Sequence, residues 1–186
     1  MRILALAACF FASCVSADWT LDSESASVHF ISTKNSHIAE THTFNNVKGT
    51  LSGVDLSVSI PLSSVNTMIP IRDERMRTML FDVANNPVAS FTAQVDESLM
   101  ALSVGESTTA EVSGKLAVSG VSVPTTFEVR VSRLSDNEIN VATVKPSVLS
   151  ASSFKLSEGI EALRNIAGLK VISEAVPLTF NVTFKK

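Results

Sequence analysis

Residues 110–131, AEVSGKLAVSGVSVPTTFEVRV, decide the fold. Ala110, Val112, Gly114, Leu116 and Val118 alternate with residues of the opposite face, and so do Val121, Val123, Thr125, Phe127, Val129 and Val131. A two-residue period puts each set on one side of a β-strand, so each run has one apolar and one polar face. Ser119-Gly120 stands between the runs and reads as a tight hairpin turn, which makes the two strands antiparallel neighbours. An antiparallel sheet with one buried and one wetted face follows.

The same pattern extends in both directions. Val54, Leu56, Val58 and Ile60 form one run; Ala89, Phe91, Ala93 and Val95 form another; Val176, Leu178, Phe180, Val182 and Phe184 form the last. Weaker strands are placed at Val28–Ser32, at Thr43–Leu51 with Gly49 as a bend or bulge, and at Ile139–Leu149. About eight or nine strands with a single apolar face bury it best by closing the sheet on itself. The expectation is all-β: an eight-stranded antiparallel up-and-down barrel first and a sandwich second. No repeat, linker or low-complexity segment argues for a second domain.

Two stretches break the alternation. In Met68–Phe91, MIPIRDERMRTMLFDVANNPVASF, the residues Met76, Met79, Leu80 and Val83 recur at helical spacing behind a charged lead-in of Arg72, Asp73, Glu74, Arg75 and Arg77. Pro87 forces the helix to end near Asn85. A short helix with this methionine-rich stripe is expected to cover an apolar interior, with Met76, Met79 and Leu80 facing the barrel. In Ser157–Gly168, SEGIEALRNIAG, Ser157 is the expected cap, Ile160, Leu163 and Ile166 form a stripe, and Gly168 terminates.

The chain opens with Arg2, an apolar run from Ile3 to Ala12, and small residues ending Val15-Ser16-Ala17. This is the order of a secretory signal, and the apolar run is too short to span a bilayer. Cleavage after Ala17 leaves 186 − 17 = 169 residues, takes both cysteines, Cys9 and Cys14, and moves the formal charge from −3 to −4 through loss of Arg2. Phe11-Ala12-Ser13-Cys14 is the rival reading, a lipoprotein signal anchored at Cys14. The body of the chain holds no later apolar run long enough to cross a membrane and no basic cluster suited to a polyanion, so neither stable membrane insertion nor nucleic-acid binding is expected.

Catalytic constellations are not evident. His37 and His42 flank Glu40 at a spacing that matches no zinc pattern, and His29 alternates with Val28 and Phe30 so as to face solvent; all three histidines read as surface or loop residues, with no metal. No nucleophile elbow of the form G-x-S-x-G occurs. Asp73 and Glu74 read as a solvated, arginine-neutralised helix end, with the alternative that one of the arginines meets the polar head of a ligand. Ten phenylalanines, one tryptophan and no tyrosine make an apolar interior with few hydrogen-bonding handles. Pattern alone leaves open whether these side chains fill the barrel or line a ligand cavity.

Several spaced motifs resemble those of the YceI-like family, the polyisoprenoid-binding group of lipocalin-like proteins. They are Trp19-Thr20-Leu21-Asp22 with Ser27-Val28-His29-Phe30, then Ser64-Val65-Asn66-Thr67, Ile71 to Arg77, Leu80-Phe81-Asp82-Val83, Pro87 and Ala89-Ser90-Phe91-Thr92. Gly114 to Val121 with Pro124, and Val176 to Phe180, continue the likeness over nearly all of 18–186. Ser32–Thr43 departs from it, lacking the short His-Leu-Gly type sequence common after the first long strand. The resemblance implies an eight-stranded lipocalin-like barrel extended by helices and secreted to the periplasm, with an elongated apolar tunnel for an isoprenoid chain or similar amphiphile.

The expected function is therefore a non-catalytic periplasmic carrier of an isoprenoid quinone or polyprenyl lipid, with no cofactor beyond that lipid and a homodimer as the common assembly. The expected tunnel residues are Val28, Phe30, Phe44, Ile60, Met76, Met79, Phe91, Leu116, Phe127 and Phe180, with Arg72 and Arg75 for the head group. Two other readings stay open: a structural or stress-response barrel with a filled core, and an enzyme of lipid or quinone metabolism.

Overall fold

The computed structural model describes residues 18–186. The expected signal segment 1–17, with Cys9 and Cys14, lies outside the described residues. Twelve strands follow in chain order: β1 (Trp19–Leu21), β2 (Ser27–Lys34), β3 (Ile38–Phe44), β4 (Lys48–Ser52), β5 (Asp55–Pro61), β6 (Val65–Asn66), β7 (Val88–Gln94), β8 (Ser107–Val118), β9 (Val121–Ser135), β10 (Glu138–Thr143), β11 (Ser147–Ser150) and β12 (Ala175–Lys185). Eight of them close a ring, β1-β4-β5-β7-β8-β9-β10-β12 and back to β1, with every pairing antiparallel. The remaining strands hang on β12: Leu178–Asn181 pairs with β2, which carries β3 and then β6, and β11 pairs with the start of β12.

The hairpin that decides the fold is as expected. Val118 pairs with Val121, and both turn residues, Ser119 (φ 48°) and Gly120 (φ 77°), are left-handed. Two such residues give the turn whose twist matches that of the strands it joins. Two longer expected strands are instead broken in the middle. Thr43–Leu51 splits into β3 and β4 around left-handed Asn46 (φ 57°), and Gly49 is a close approach, not a bend: a Cβ there would sit 3.0 Å from the Ser57 carbonyl oxygen. Ile139–Leu149 splits into β10 and β11 at Val144–Pro146, where the proline has no N–H for a ladder.

The first insertion is shorter and tighter than its periodicity predicts. Helix α1 covers only Pro70–Arg75, and Met76–Leu80 is wound as a π-turn, with Phe81 N–H donating to the Met76 carbonyl at 3.0 Å. The helix therefore ends at Leu80, because the wider turn is followed by left-handed Asp82 (φ 48°). Helix α2 covers Ser157–Ile166 and stops at left-handed Gly168 (φ 63°) as expected, but Leu156 occupies the cap position with no side-chain bond, and Ile166 is exposed. The two helical insertions press together over one end of the barrel. A Cβ on Gly159 of α2 would lie 2.7 Å from the Met79 carbonyl oxygen, so only glycine permits that approach.

Gly114 plays the same part between β7 and β8. An added Cβ would overlap the Thr92 carbonyl oxygen, which the strand pairing fixes, and lie 2.7 Å from Phe91 Cζ. Gly114→Ala is expected to destabilise the protein by about 1–3 kcal/mol, read from the midpoint of urea unfolding; an unchanged midpoint would show that β7 moves away at little cost.

Candidate functional site

The barrel interior changes character along its axis. Along the ring, from Leu99 and Met100 in the β7–β8 connection to Ile60 and Leu178, lies a cavity of about 130 Å³ whose lining is entirely apolar. Val28, Val47, Val58, Val112, Val129, Val131, Val141 and Val182 supply much of the wall, and these short side chains do not reach the barrel axis. Phe91, Phe127 and Phe180 cross one side of it edge to face, with ring centroids 5.1 and 5.4 Å apart.

At one end, side chains meet and fill the barrel. Phe30, Leu62, Val65, Met76, Phe81 and Ala89 form a second buried cluster beneath α1. Phe30 lies 5.2 Å from Phe44, and Phe44 5.9 Å from Phe81, so three rings stand in a row at this end. The cavity wall thus runs from Leu56 to Ile60 along β5 and from Leu178 to Phe184 along β12, with a filled cluster at one end of the barrel.

Beyond the rings the inward face turns polar. On β2 and β3, Phe30 pairs with His42 and Ser32 with Glu40, which puts Ser32, Glu40 and His42 on the same face as the core residues. His42 is buried, packs 5.1 Å from Phe30 and shares a 2.8 Å hydrogen bond with the Ser32 hydroxyl. Reading His42 as a surface residue is therefore corrected: Phe44 faces inward, and a two-residue period carries His42 with it. His37 is exposed in a turn, as expected; His29 lies on the outer face but, against the expectation that it faces solvent, is half-buried, with its Nδ1 buried and without a hydrogen-bond partner. Glu40 is gripped by Lys34 at 2.7 Å and by Arg72 at 2.6 Å, and Arg72 also donates to the Thr67 carbonyl at 2.6 Å. Asp73 accepts from the backbone N–H of Thr67 at 2.8 Å. These bonds tie α1 to β3 and commit both terminal nitrogens of Arg72 to the protein itself.

A domain model for the YceI-like domain matches residues 19–184. The chain belongs to the YceI-like family. Among solved structures, a polyisoprenoid binding domain from Saccharophagus degradans, implicated in plant cell wall breakdown, is 38% identical, with a TM-score of 0.87 over 90% of this chain and 97% of that one. BcnA from Burkholderia cenocepacia (15% identity, TM-score 0.64, 88% and 98% covered) and the Campylobacter jejuni YCEI protein (17%, 0.58, 78% and 84%) share the fold. No curated protein matches.

Within this YceI-like barrel the expected site residues divide into groups. Val28, Ile60, Phe91, Leu116, Phe127 and Phe180 line the cavity. Phe30, Phe44 and Met76 belong to the filled end. Met79 is half-buried with its backbone against α2, Arg72 is spent on Glu40 and Thr67, and Arg75 is half-buried in α1. Phe81, which closes the row of rings, was not among the expected residues; it lies outside the helical stripe, and only the π-turn brings it inward. Leu99 and Met100, which line the opposite end, sit in a short irregular turn with no periodicity to reveal them.

The Ser32–His42 pair resembles the start of a nucleophile–base arrangement, but the imidazole Nδ1 has no partner and Glu40 is held by two cations, so nothing orients the ring as a base. Among the described residues no cluster of three or more histidine, cysteine or acidic side chains is arranged for a metal. The His42 pKa is lowered, first by burial and then by the nearby Arg72 charge. Such a group takes up its proton more readily unfolded, so its contribution to stability is complete above the ordinary imidazole value of about 6.5 and declines as pH falls below it. Thermal melts from about pH 7.5 to about pH 5 are expected to show a steeper loss for the wild type than for His42→Gln; equal slopes would exclude His42 as a source.

Proposed function

We propose that this protein binds an apolar chain, an isoprenoid quinone or polyprenyl lipid, as a non-catalytic periplasmic carrier. The observation that carries the reading is the cavity on the barrel axis, about 130 Å³ with no polar side chain in its wall. A void of this kind excludes water and accepts hydrocarbon; apolar cavities near this size stay dry and admit a benzene-sized guest. That corresponds to about one five-carbon isoprene unit, worth roughly 3 kcal/mol at about 0.8 kcal/mol per buried CH₂. A chain of several units reaches micromolar affinity if the wall side chains rearrange to admit it. The 38% identical domain described as polyisoprenoid binding supports the same class of ligand. No helix among the described residues is long and apolar enough to cross a membrane, which is consistent with a carrier moving between membranes.

The filled end is the observation that favours a second reading, a structural barrel in which the remaining cavity has no occupant. Val58→Phe separates the two, because Val58 lines the cavity and a ring there occupies much of it. The expected result is that wild-type protein purified from its secreted form yields an isoprenoid lipid on solvent extraction and mass spectrometry, whereas Val58→Phe yields several-fold less at unchanged thermal stability. Protein that is repeatedly empty and takes up neither quinone nor polyprenyl chains would remove the carrier reading.

A further inference from the structure

The connection between β7 and β8 covers the barrel end opposite α1, beside Gly53 and Val54 of the β4–β5 turn and the packed Trp19 and Lys186. It is bonded to the ring at its two ends. Val95 N–H donates to the Val54 carbonyl at 2.9 Å; Gly105 N–H donates to the Arg133 carbonyl at 2.8 Å, and Arg133 N–H to the Glu106 carbonyl at 2.9 Å. Between these anchors, residues 96–102 hydrogen-bond only among themselves: Leu99 N–H to the Asp96 carbonyl, Met100 to Glu97, Ala101 to Ser98, and Ser98 N–H to the Asp96 carboxylate. Among the described residues no hydrogen bond or ion pair joins this stretch to the barrel. Apolar contact alone holds it down, with Leu99 buried, Met100 and Leu102 packed against the core, and Leu99 and Met100 reaching the cavity wall. A surface groove runs along each flank, one of about 450 Å³ touching Leu99 and Leu102, the other of about 270 Å³ touching Glu97 and Met100.

We propose that residues 96–102 are a lid, and that an apolar chain enters by lifting Leu99 and Met100 out of the cavity wall and then lying where they lay. The proposal rests on the carrier reading above. A cover held by hydrogen bonds loses them before its guest supplies anything in return. A cover held by apolar contact exchanges like for like, because a hydrocarbon chain buries the same wall that Leu99 and Met100 leave. The anchors keep the movement local: Val95 and Gly105 stay bonded to the ring, and the flanking grooves leave the segment free of neighbouring strands. Moving the two side chains also lengthens the space beyond about 130 Å³, which a longer isoprenoid chain requires. The other end is the poorer entrance. There α1 is tied by Arg72 on Glu40 and by Asp73 on Thr67, so lifting it breaks charged hydrogen bonds that an apolar guest does not replace.

The test follows uptake of a short-chain isoprenoid quinone by the full protein, read in stopped flow as quenching of Trp19, the single tryptophan, which is buried at the lid end. Leu99→Ala is expected to raise the association rate at least about tenfold, and Met100→Ala, at a less buried position, to raise it in the same direction. Asp73→Ala, which loosens α1 at the other end, leaves the rate within about twofold. Hydrogen exchange on the lipid-free Leu99→Ala protein is expected to quicken at amides 99–101 while the anchors Val95 and Gly105 keep wild-type protection. Quickening at the anchors as well is global loosening and overturns the lid. A faster rate in Asp73→Ala but not in the lid variants, or one rate in all four proteins, also overturns it and leaves the carrier reading standing. No quenching and no quinone-bound mass in any of the proteins overturns both.

Discussion

An antiparallel sheet that buries one face and tolerates no open edge must curl until its ends meet, and in this molecule β12 makes the join. Its last residues pair with β1, its middle with β2, and its other side with β10. Once the ring holds eight strands its width is fixed, and the side chains on the inner face decide whether the interior is filled or hollow. Valines line much of one half and cannot meet across the axis, so a void remains. Phenylalanine and methionine occupy the other half and do meet. Cavity and plug are thus two outcomes of one closure, distinguished by side-chain length.

The helical insertions depend on that plug. Helix α1 is six residues long, too short to be stable alone. It is held by contacts at three points: Arg72 on Glu40, Asp73 on Thr67, and Met76 and Phe81 in the barrel end. The π-turn after it matters because one extra residue in a helical turn rotates everything that follows, and here the rotation delivers Phe81 onto Phe44. Helix α2 then locks Met79 and Leu80 from outside, through the missing side chain of Gly159.

What the sequence discloses follows from which interactions are periodic. Strands whose two faces see different solvents announce themselves, and the Ser119–Gly120 turn, the closed barrel and six of the cavity-lining residues were all legible in alternation and turn chemistry. Breaks made by single backbone conformations, at Asn46 and at Val144–Pro146, leave no periodic trace. His42 was legible in principle, since it stands two residues from Phe44 on the same strand; residue type outweighed position in reading it as a surface group. The π-turn was not legible, because it depends on what the barrel end needs to bury. Nor was the filling of one end, which depends on how residues from distant strands stack at one height.

The same closure leaves one seam of the ring laddered over only part of its length. β7 has seven residues and its neighbour β8 has twelve, so the ladder between them ends before the cavity does. The ladder ends at Ala93↔Gly114, where the missing Cβ lets the backbones lie close, and beyond it β7 stays paired with β5 through Gln94 and the Val95 N–H on the Val54 carbonyl. Below that point the barrel wall is made by the side chains of Val95, Leu99 and Val112 in place of a hydrogen-bonded ladder. Side chains rotate without breaking backbone bonds, on timescales far shorter than those for opening a sheet. The wall at this seam therefore rearranges by side-chain rotation alone, while the laddered seams move only by breaking backbone bonds.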